Sequence, residues 1–268
     1  MTAKSYTYDP LYTLKPIAED IWIADGDTIP FFGIPFSTRM TVIRLAEGEL
    51  FIHSPTGLPV GLKEEVDALG EVRYLISPSK LHYWYIDQWQ EAYPKALTFA
   101  SPGVRRQAAN HRKRMRFDQD LLPEPTPYWQ GEIDQTILRG GRFMEEVLFY
   151  HIETRTLIVA DAIENFEPHK IPLPLRPFAK LVGILAPHGG TPLDYQLSYI
   201  GRKRFLAVAL RKLDTWKPER IIVTHGAIIE ENAEAFMRRA FEWMTTAPGE
   251  KLMRRMRSLG EKLAASVK

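Results

Sequence analysis

Apolar residues in this chain gather in short runs separated by turns, and only a few stretches carry helical spacing. Residues 21–24, 40–45, 50–53, 72–77, 97–100, 132–138, 146–152, 156–160 and 220–224 each read as a strand, rich in β-branched and aromatic residues. In several of them the apolar positions are consecutive, as in a strand buried on both faces. Leu157-Ile158-Val159-Ala160 runs into Asp161, and Ile221-Ile222-Val223 runs into Thr224-His225-Gly226. A third run, Arg73-Tyr74-Leu75-Ile76-Ser77, leads towards His82. Spacings of three and four predict helices over 61–69, 83–93, 198–216, 233–245 and 252–267, the last with its Lys and Arg residues on the wet face. Pro102 is suited to the first position of a further helix. Residues 1–20, limited by Pro10 and Pro16, read as irregular. So do an apolar loop over 29–36, the region to Gln130 with Pro123, Pro125 and Pro127, and the Pro-rich stretch 164–192 with its apolar segment 178–185.

The turns between several strands are too short for crossovers. Glu47-Gly48-Glu49, Gly140-Gly141 and Glu153-Thr154 are hairpin-like, so a doubly wound parallel sheet fits poorly. Strands fall into two sets, near 21–54 and 132–160, each extended by strands that alternate with helices. That order predicts an α/β fold of two mixed β-sheets face to face with helices outside, a four-layer αββα sandwich. No repeat or low-complexity linker divides residues 1–268, which read as one domain.

Composition narrows the chemistry more than the fold. The chain has no cysteine, which excludes disulfides, thiolate nucleophiles and Cys-rich zinc sites, so any metal must be held by His, Asp, Glu or backbone oxygen. A net charge of +2 gives little reason to expect nucleic acid as a partner. The run Arg105 to Arg116 is basic but lacks interleaved aromatics, and reads as a wet helix face before an anion site. No stretch approaches a membrane span, and Met1 to Tyr6 lack the apolar core of a signal peptide. The expectation is a cytoplasmic protein with no membrane partner, compatible with a homo-oligomer. No Gly-x-Ser-x-Gly elbow, Walker loop or dinucleotide fingerprint is present.

Of the seven histidines, His225 and His82 stand where buried strands end. Such a residue bonds to a neighbouring carbonyl as readily as to a metal, and Asp161 could equally cap a turn. Taken together, His82, Asp161 and His225 are a usual cysteine-free ligand set for zinc or iron. Gly226 lets backbone or ligand approach His225. His53, at the end of its strand, could be a ligand itself but is expected behind the ligands as a hydrogen-bond donor. His188, flanked by Pro187 and Gly189, is a reserve ligand; His151 is expected to pair within the sheet, and His111 and His169 to be solvated. Arg139 and Arg142 flank Gly140-Gly141, nearer the site than the basic run, where they could meet an anion. The apolar loops 29–36 and 171–185 either pack the core or roof a pocket.

The order of these features resembles the metallo-β-lactamase fold superfamily. Leu50-Phe51-Ile52-His53-Ser54-Pro55-Thr56-Gly57 resembles the family's strand ending in Asp and a Gly turn. The Pro78-Ser79-Lys80-Leu81-His82-Tyr83 segment falls where the family has His-x-His-x-Asp-His, with His82 in the Asp place and Tyr83 in place of the last His. Leu157 to Asp161 resembles the strand with the metal-bridging Asp, and Ile222-Val223-Thr224-His225-Gly226 the strand with the final His. No histidine stands near Gly140 to Arg142, where Glu145 or Glu146 comes closest to the family's middle His. The resemblance thus implies a divergent branch with one metal site dismantled and His82, Asp161 and His225 left to hold one zinc, with iron or manganese as lesser choices, or no metal at all. Two functions follow from it. One is a single-metal hydrolase using metal-activated water on a small, anionic substrate, with Asp161, Tyr83, Lys80 and Arg142 as catalytic residues, the last three stabilising charge. The other is a non-catalytic relative whose vestigial site binds a small molecule or serves the fold.

Overall fold

A computed structural model describes residues 6–31 and 34–246; the helix predicted over 252–267 lies outside the described residues. The chain opens with β1 (Lys15–Ala18), β2 (Ile21–Phe31), β3 (Ile34–Arg44) and β4 (Glu49–His53). Helix α1 (Val60–Leu69), β5 (Glu71–Ser77), α2 (Ile86–Ala92), β6 (Leu97–Ala100), α3 (Val104–Asn110) and the short β7 (Gln119–Asp120) complete its first half. The second half runs β8 (Ile133–Leu138), β9 (Glu146–His151), β10 (Thr156–Val159), α4 (Arg176–Val182), α5 (Leu193–Leu197), α6 (Ala207–Thr215), β11 (Arg220–Val223) and α7 (Ala233–Phe241).

Two sheets form from these strands: a seven-stranded one in the order β1-β2-β3-β4-β5-β6-β7 and a four-stranded one in the order β11-β10-β9-β8. Both are mixed. Strands β1 to β4 are antiparallel neighbours, whereas β4, β5, β6 and β7 run parallel. In the smaller sheet β8, β9 and β10 are antiparallel and β10 pairs in parallel with β11.

Period-two alternation sorts the side chains into layers. Phe51, Tyr74, Ile76 and Phe99 from the larger sheet meet Ile137, Val147, Phe149, Ile158 and Ile222 from the smaller one in the inter-sheet core. Their sequence neighbours point the other way. Leu50, Ile52 and Leu75 pack under Leu62 and Val66 of α1, Ile86 and Trp89 of α2, and Val104 and Ala108 of α3. Leu148, Leu157, Val159 and Val223 pack under Tyr195 of α5, Ala209 and Leu213 of α6, and Phe236 and Met237 of α7. The result is the expected αββα sandwich. Trp129, from the proline-interrupted loop before β8, is buried in the inter-sheet core, and its indole N–H donates to Gln135 Oε1 at 2.9 Å.

Several local expectations are corrected. Within residues 1–20, read as irregular, Lys15–Ala18 forms an antiparallel edge strand, a position that tolerates Pro16. The apolar loop 29–36 is a hairpin arm, with Ile29 paired to Phe36 and Phe31 to Ile34. The single helix expected over 198–216 is broken: α5 ends at Leu197, Gly201 adopts φ +73, a 3-10 turn covers Lys203–Leu206, and only then does α6 begin. Pro102 precedes a left-handed Gly103 at φ +87, so α3 starts at Val104. Helix α2 starts at Ile86, later than the spacing suggested, because residues 78–85 form a folded loop.

Candidate metal centre

Strands β4 and β5 are parallel neighbours in one sheet and β10 and β11 in the other, so their C-terminal ends are where loops carry chemistry in open α/β sheets. After β5 the chain folds tightly on two serines. Ser77 Oγ donates to the carbonyls of Ser79 at 3.2 Å and His82 at 2.9 Å, and the Leu81 N–H donates to Ser79 Oγ at 3.2 Å. The loop is also stitched to the other sheet, with Val147 N–H donating to the Pro78 carbonyl at 2.9 Å. These bonds carry His82 across to Asp161.

Asp161 follows β10, and its backbone is fixed by a buried carboxylate. Glu146, the first residue of β9 and fully buried, accepts the N–H of Ala160 at 2.8 Å on one oxygen and that of Asp161 at 2.9 Å on the other. His225 follows β11. Gly226 beside it has φ +112, and a Cβ there would lie 2.2 Å from the carbonyl carbon and oxygen of Asn165. The close backbone approach expected at this glycine is therefore real. Asn165 N–H donates to the His225 carbonyl at 3.0 Å, and Ala227 N–H to that of Asn165 at 2.8 Å.

The three side chains converge. His82 Nε2 lies 3.1 Å and His225 Nε2 3.4 Å from the same oxygen, Asp161 Oδ1, and one ligand atom from each residue falls within 4.8 Å of the others. The second Asp161 oxygen accepts from Ser79 Oγ at 3.0 Å. His82 Nδ1 is 2.7 Å from Ser54 Oγ, and His225 Nδ1 is 2.9 Å from the Ser37 carbonyl. A carbonyl only accepts, so His225 donates Nδ1–H to Ser37 and its Nε2, when neutral, turns a lone pair towards the site. Phe36 meets the His225 ring edge-on at 5.2 Å and Phe166 stacks on it at 6.1 Å, a dry wall on that side.

Burial lowers the His225 imidazole below its usual value, against the pull of Asp161. Burial alone would raise the Asp161 carboxyl, but the charge of His82 and the two imidazoles beside it hold it well below the usual carboxylate range. Burial and the charge of Asp161 push Glu146 up despite its backbone N–H donors. Glu164, also buried, is pushed up by burial and by the charges of Asp161, Asp194 and Glu146. A neutral His225 leaves its Nε2 lone pair facing an ionised Asp161 oxygen, amid further buried acids. The donor set, two imidazoles and a carboxylate with a constrained tautomer, fits a divalent transition metal.

A family model described as a domain of unknown function (DUF4336) matches residues 19–182, more than half of the sequence. The chain belongs to the DUF4336 family. That match contains His82 and Asp161 and ends before His225. Among solved structures the chain is similar to the DIM-1 metallo-beta-lactamase, at 15% identity over 87% of this chain and 95% of that one, with a TM-score of 0.59. It is similar also to the metallo-beta-lactamase FIM-1 from Pseudomonas aeruginosa in the mono-zinc form, at 10% identity over 93% and 99% of the chains and a TM-score of 0.59. A metallo-beta-lactamase from Pontibacter korlensis gives 11% identity over 88% and 99%, with a TM-score of 0.58. These likenesses show that this DUF4336 protein has the metallo-β-lactamase fold. No curated protein matches it significantly.

The other residues singled out in the sequence are scattered around this centre. Tyr83 points away from it, buried among the α1–α3 helices, with its hydroxyl 2.5 Å from His111 Nδ1. His111, expected in solvent, is exposed but also stacks on Trp84. Lys80 is half-buried, with its ammonium 4.2 Å from the centre of the Phe143 ring, and its pKa is lowered by burial and by Arg106. Arg142 and Arg139 are exposed in the 138–146 turn, which Glu145 closes by accepting the Gly140 N–H at 2.6 Å. His188 and His169 are exposed, and His151 is buried on Thr154 Oγ1 at 2.8 Å. Much of the basic run meets acids: Arg105 with Asp120, Lys113 with Asp87 and Arg116 with Asp118.

His53, expected behind the ligands, instead turns between the sheets. Its ring lies edge-on to Phe149 at 5.5 Å, and its buried Nε2 has no hydrogen-bond partner. The residues that do stand behind the ligands are Ser54, Ser79, Glu146 and the carbonyl of Ser37. Of these, Glu146 left a trace in the sequence, where Glu145 or Glu146 comes closest to the place of the family's middle His.

Proposed function

We propose that this protein is a single-metal hydrolase in which His82, Asp161 and His225 hold one divalent transition metal, zinc before iron or manganese. The observation that carries this reading is the convergence of the three ligand atoms within 4.8 Å, with the His225 tautomer constrained by the Ser37 carbonyl. A metal held there supplies Lewis acidity and lowers the pKa of a water towards neutrality. The chain's own residues supply the rest. Glu146 anchors Asp161 through its backbone, Phe36 and Phe166 wall one side of His225, and Lys80, two residues before His82 in the same loop, is the cation offered to an anionic small-molecule substrate. That one zinc suffices to occupy this fold is consistent with the mono-zinc form named for FIM-1.

A second reading, a vestigial site that binds a small molecule or only packs, is favoured by one observation. Both oxygens of Asp161 already have partners within the chain, Ser79 on one and His82 on the other. Elemental analysis of the purified protein before and after chelation separates the two. Stoichiometric zinc, iron or manganese that is lost in the His225→Ala variant is the expected result. A metal-free protein that takes up none of these ions when offered them sinks the hydrolase reading.

A further inference from the structure

We infer that Ser54 is a positioning residue for His82, setting which of its two nitrogens is free to bind a metal; this rests on the metal reading above. His82 and His225 look equivalent in sequence but are held by different chemistry. The Ser37 carbonyl behind His225 can only accept, so it favours one tautomer, with the Nε2 lone pair towards the site. Behind His82 stands a hydroxyl, Ser54 Oγ at 2.7 Å from Nδ1, which both donates and accepts.

In the arrangement seen, His82 Nε2 is 3.1 Å from Asp161 Oδ1, an oxygen that only accepts when ionised. A neutral His82 then donates Nε2–H to Asp161 and accepts the Ser54 O–H at Nδ1. For Nε2 to serve as a ligand the proton must sit on Nδ1, and Ser54 Oγ must turn from donor to acceptor. A hydroxyl makes that reversal by rotating about one bond, with no movement of the backbone. Ser54 is therefore the group that allows His82 to exchange between pairing with Asp161 and ligating a metal.

The backbone supports this assignment. Ser54 is one of the few non-glycine residues with a left-handed backbone, at φ +53, directly after β4. Its N–H is tied to the Ile76 carbonyl at 3.0 Å and the residue is 5% exposed. Glycine would fit that conformation without strain, so a serine here carries a side chain at a backbone cost. The side chain that the strained position delivers is the one on His82.

The test separates side chain from backbone with three variants and zinc alone as the probe. Ser54→Ala removes the hydroxyl and keeps the strain, Ser54→Gly removes both, and Ser54→Thr keeps the hydroxyl at the cost of a branched Cβ at positive φ. Zinc affinity is expected to follow the hydroxyl, falling about 10- to 100-fold in the Ala and Gly variants and recovering in Thr. Thermal stability without zinc is expected to follow the backbone instead, with Gly above both Ala and Thr. Nitrogen-15 spectra of wild-type His82 should show the proton moving from Nε2 to Nδ1 on zinc addition. Ala and Gly variants that bind zinc as tightly as wild type overturn the role of Ser54 and leave the metal site standing. Absence of zinc binding in wild type overturns the metal reading and this inference with it.

Discussion

Where β4 ends, His53 enters the space between the sheets and Ser54 meets His82. Burial and the charge of His82 push the His53 imidazole down to about 3 from its usual 6.5. The folded protein thus binds this proton less readily than the unfolded chain does. Between about pH 6.5 and 3 the unfolded state carries the extra proton, so this residue makes stability fall as pH drops. Replacing His53 with Leu removes that liability, and the side-chain Nε2 it deletes has no partner to lose. Denaturant titrations at pH ~7 and ~4.5 are expected to show the variant losing less stability than wild type, by about 2–3 kcal/mol. Equal acid losses in both proteins would mean that His53 takes up its proton in the folded state. At Gly226, by contrast, the residue type is forced locally: its φ of +112 and the Asn165 backbone leave no room for a Cβ.

At the scale of elements, the centre exists because parallel strand pairs in two different sheets end together. Arg39 of β3 helps to hold them there. Its guanidinium is buried, pairs with Asp25 at 2.8 Å, and donates from Nη1 to the carbonyls of Val223 at 2.7 Å and Gly226 at 2.8 Å. It therefore ties the larger sheet to the two ends of the Val223–Gly226 turn that carries His225. Replacing Arg39 with Met strands the Asp25 carboxylate, leaving it only Lys15, and frees both carbonyls. The expected cost is about 3–5 kcal/mol in denaturant unfolding, together with weaker zinc binding, since His225 loses its anchor. A variant that unfolds like wild type would show that Lys15 alone satisfies Asp25. Among exposed pairs, such as Lys63 with Asp67, contributions nearer zero to 1 kcal/mol are the rule.

For the whole molecule, a metal that binds only the folded state must stabilise it. At a free zinc concentration about 100 times the Kd, calorimetry is expected to show the thermal midpoint rising by about 5–10 °C, and His225→Ala to abolish the rise. A midpoint indifferent to zinc would place the three ligands with the vestigial reading. No helix among the described residues is long and apolar enough to cross a membrane.

The αββα architecture was legible in the chain because hydrophobic runs of strand length separate the layers by simple alternation. Runs such as Leu157-Ile158-Val159 leave few alternatives to a strand covered on both faces. The ligands were legible for a related reason: a polar residue that ends a buried strand must emerge at a sheet edge, and His225 and Asp161 do so. Three things were not legible. The break at Gly201 was hidden because the spacing of apolar residues on either side continues as if the helix did. Tyr83 and His82 are adjacent, yet a loop folded on Ser77 and Ser79 sends one to the helix layer and the other to the metal centre. The partners behind the ligands, Ser54, Ser79, Glu146 and the Ser37 carbonyl, lie 28, 82, 15 and 188 residues away along the chain from the groups they touch. Local sequence determined which strands are buried and which residues end them, because burial is written in residue type. Only the tertiary structure decided which of those ends meet and which group stands behind each histidine, because hydrogen-bond partners distant in sequence leave no periodic mark on it.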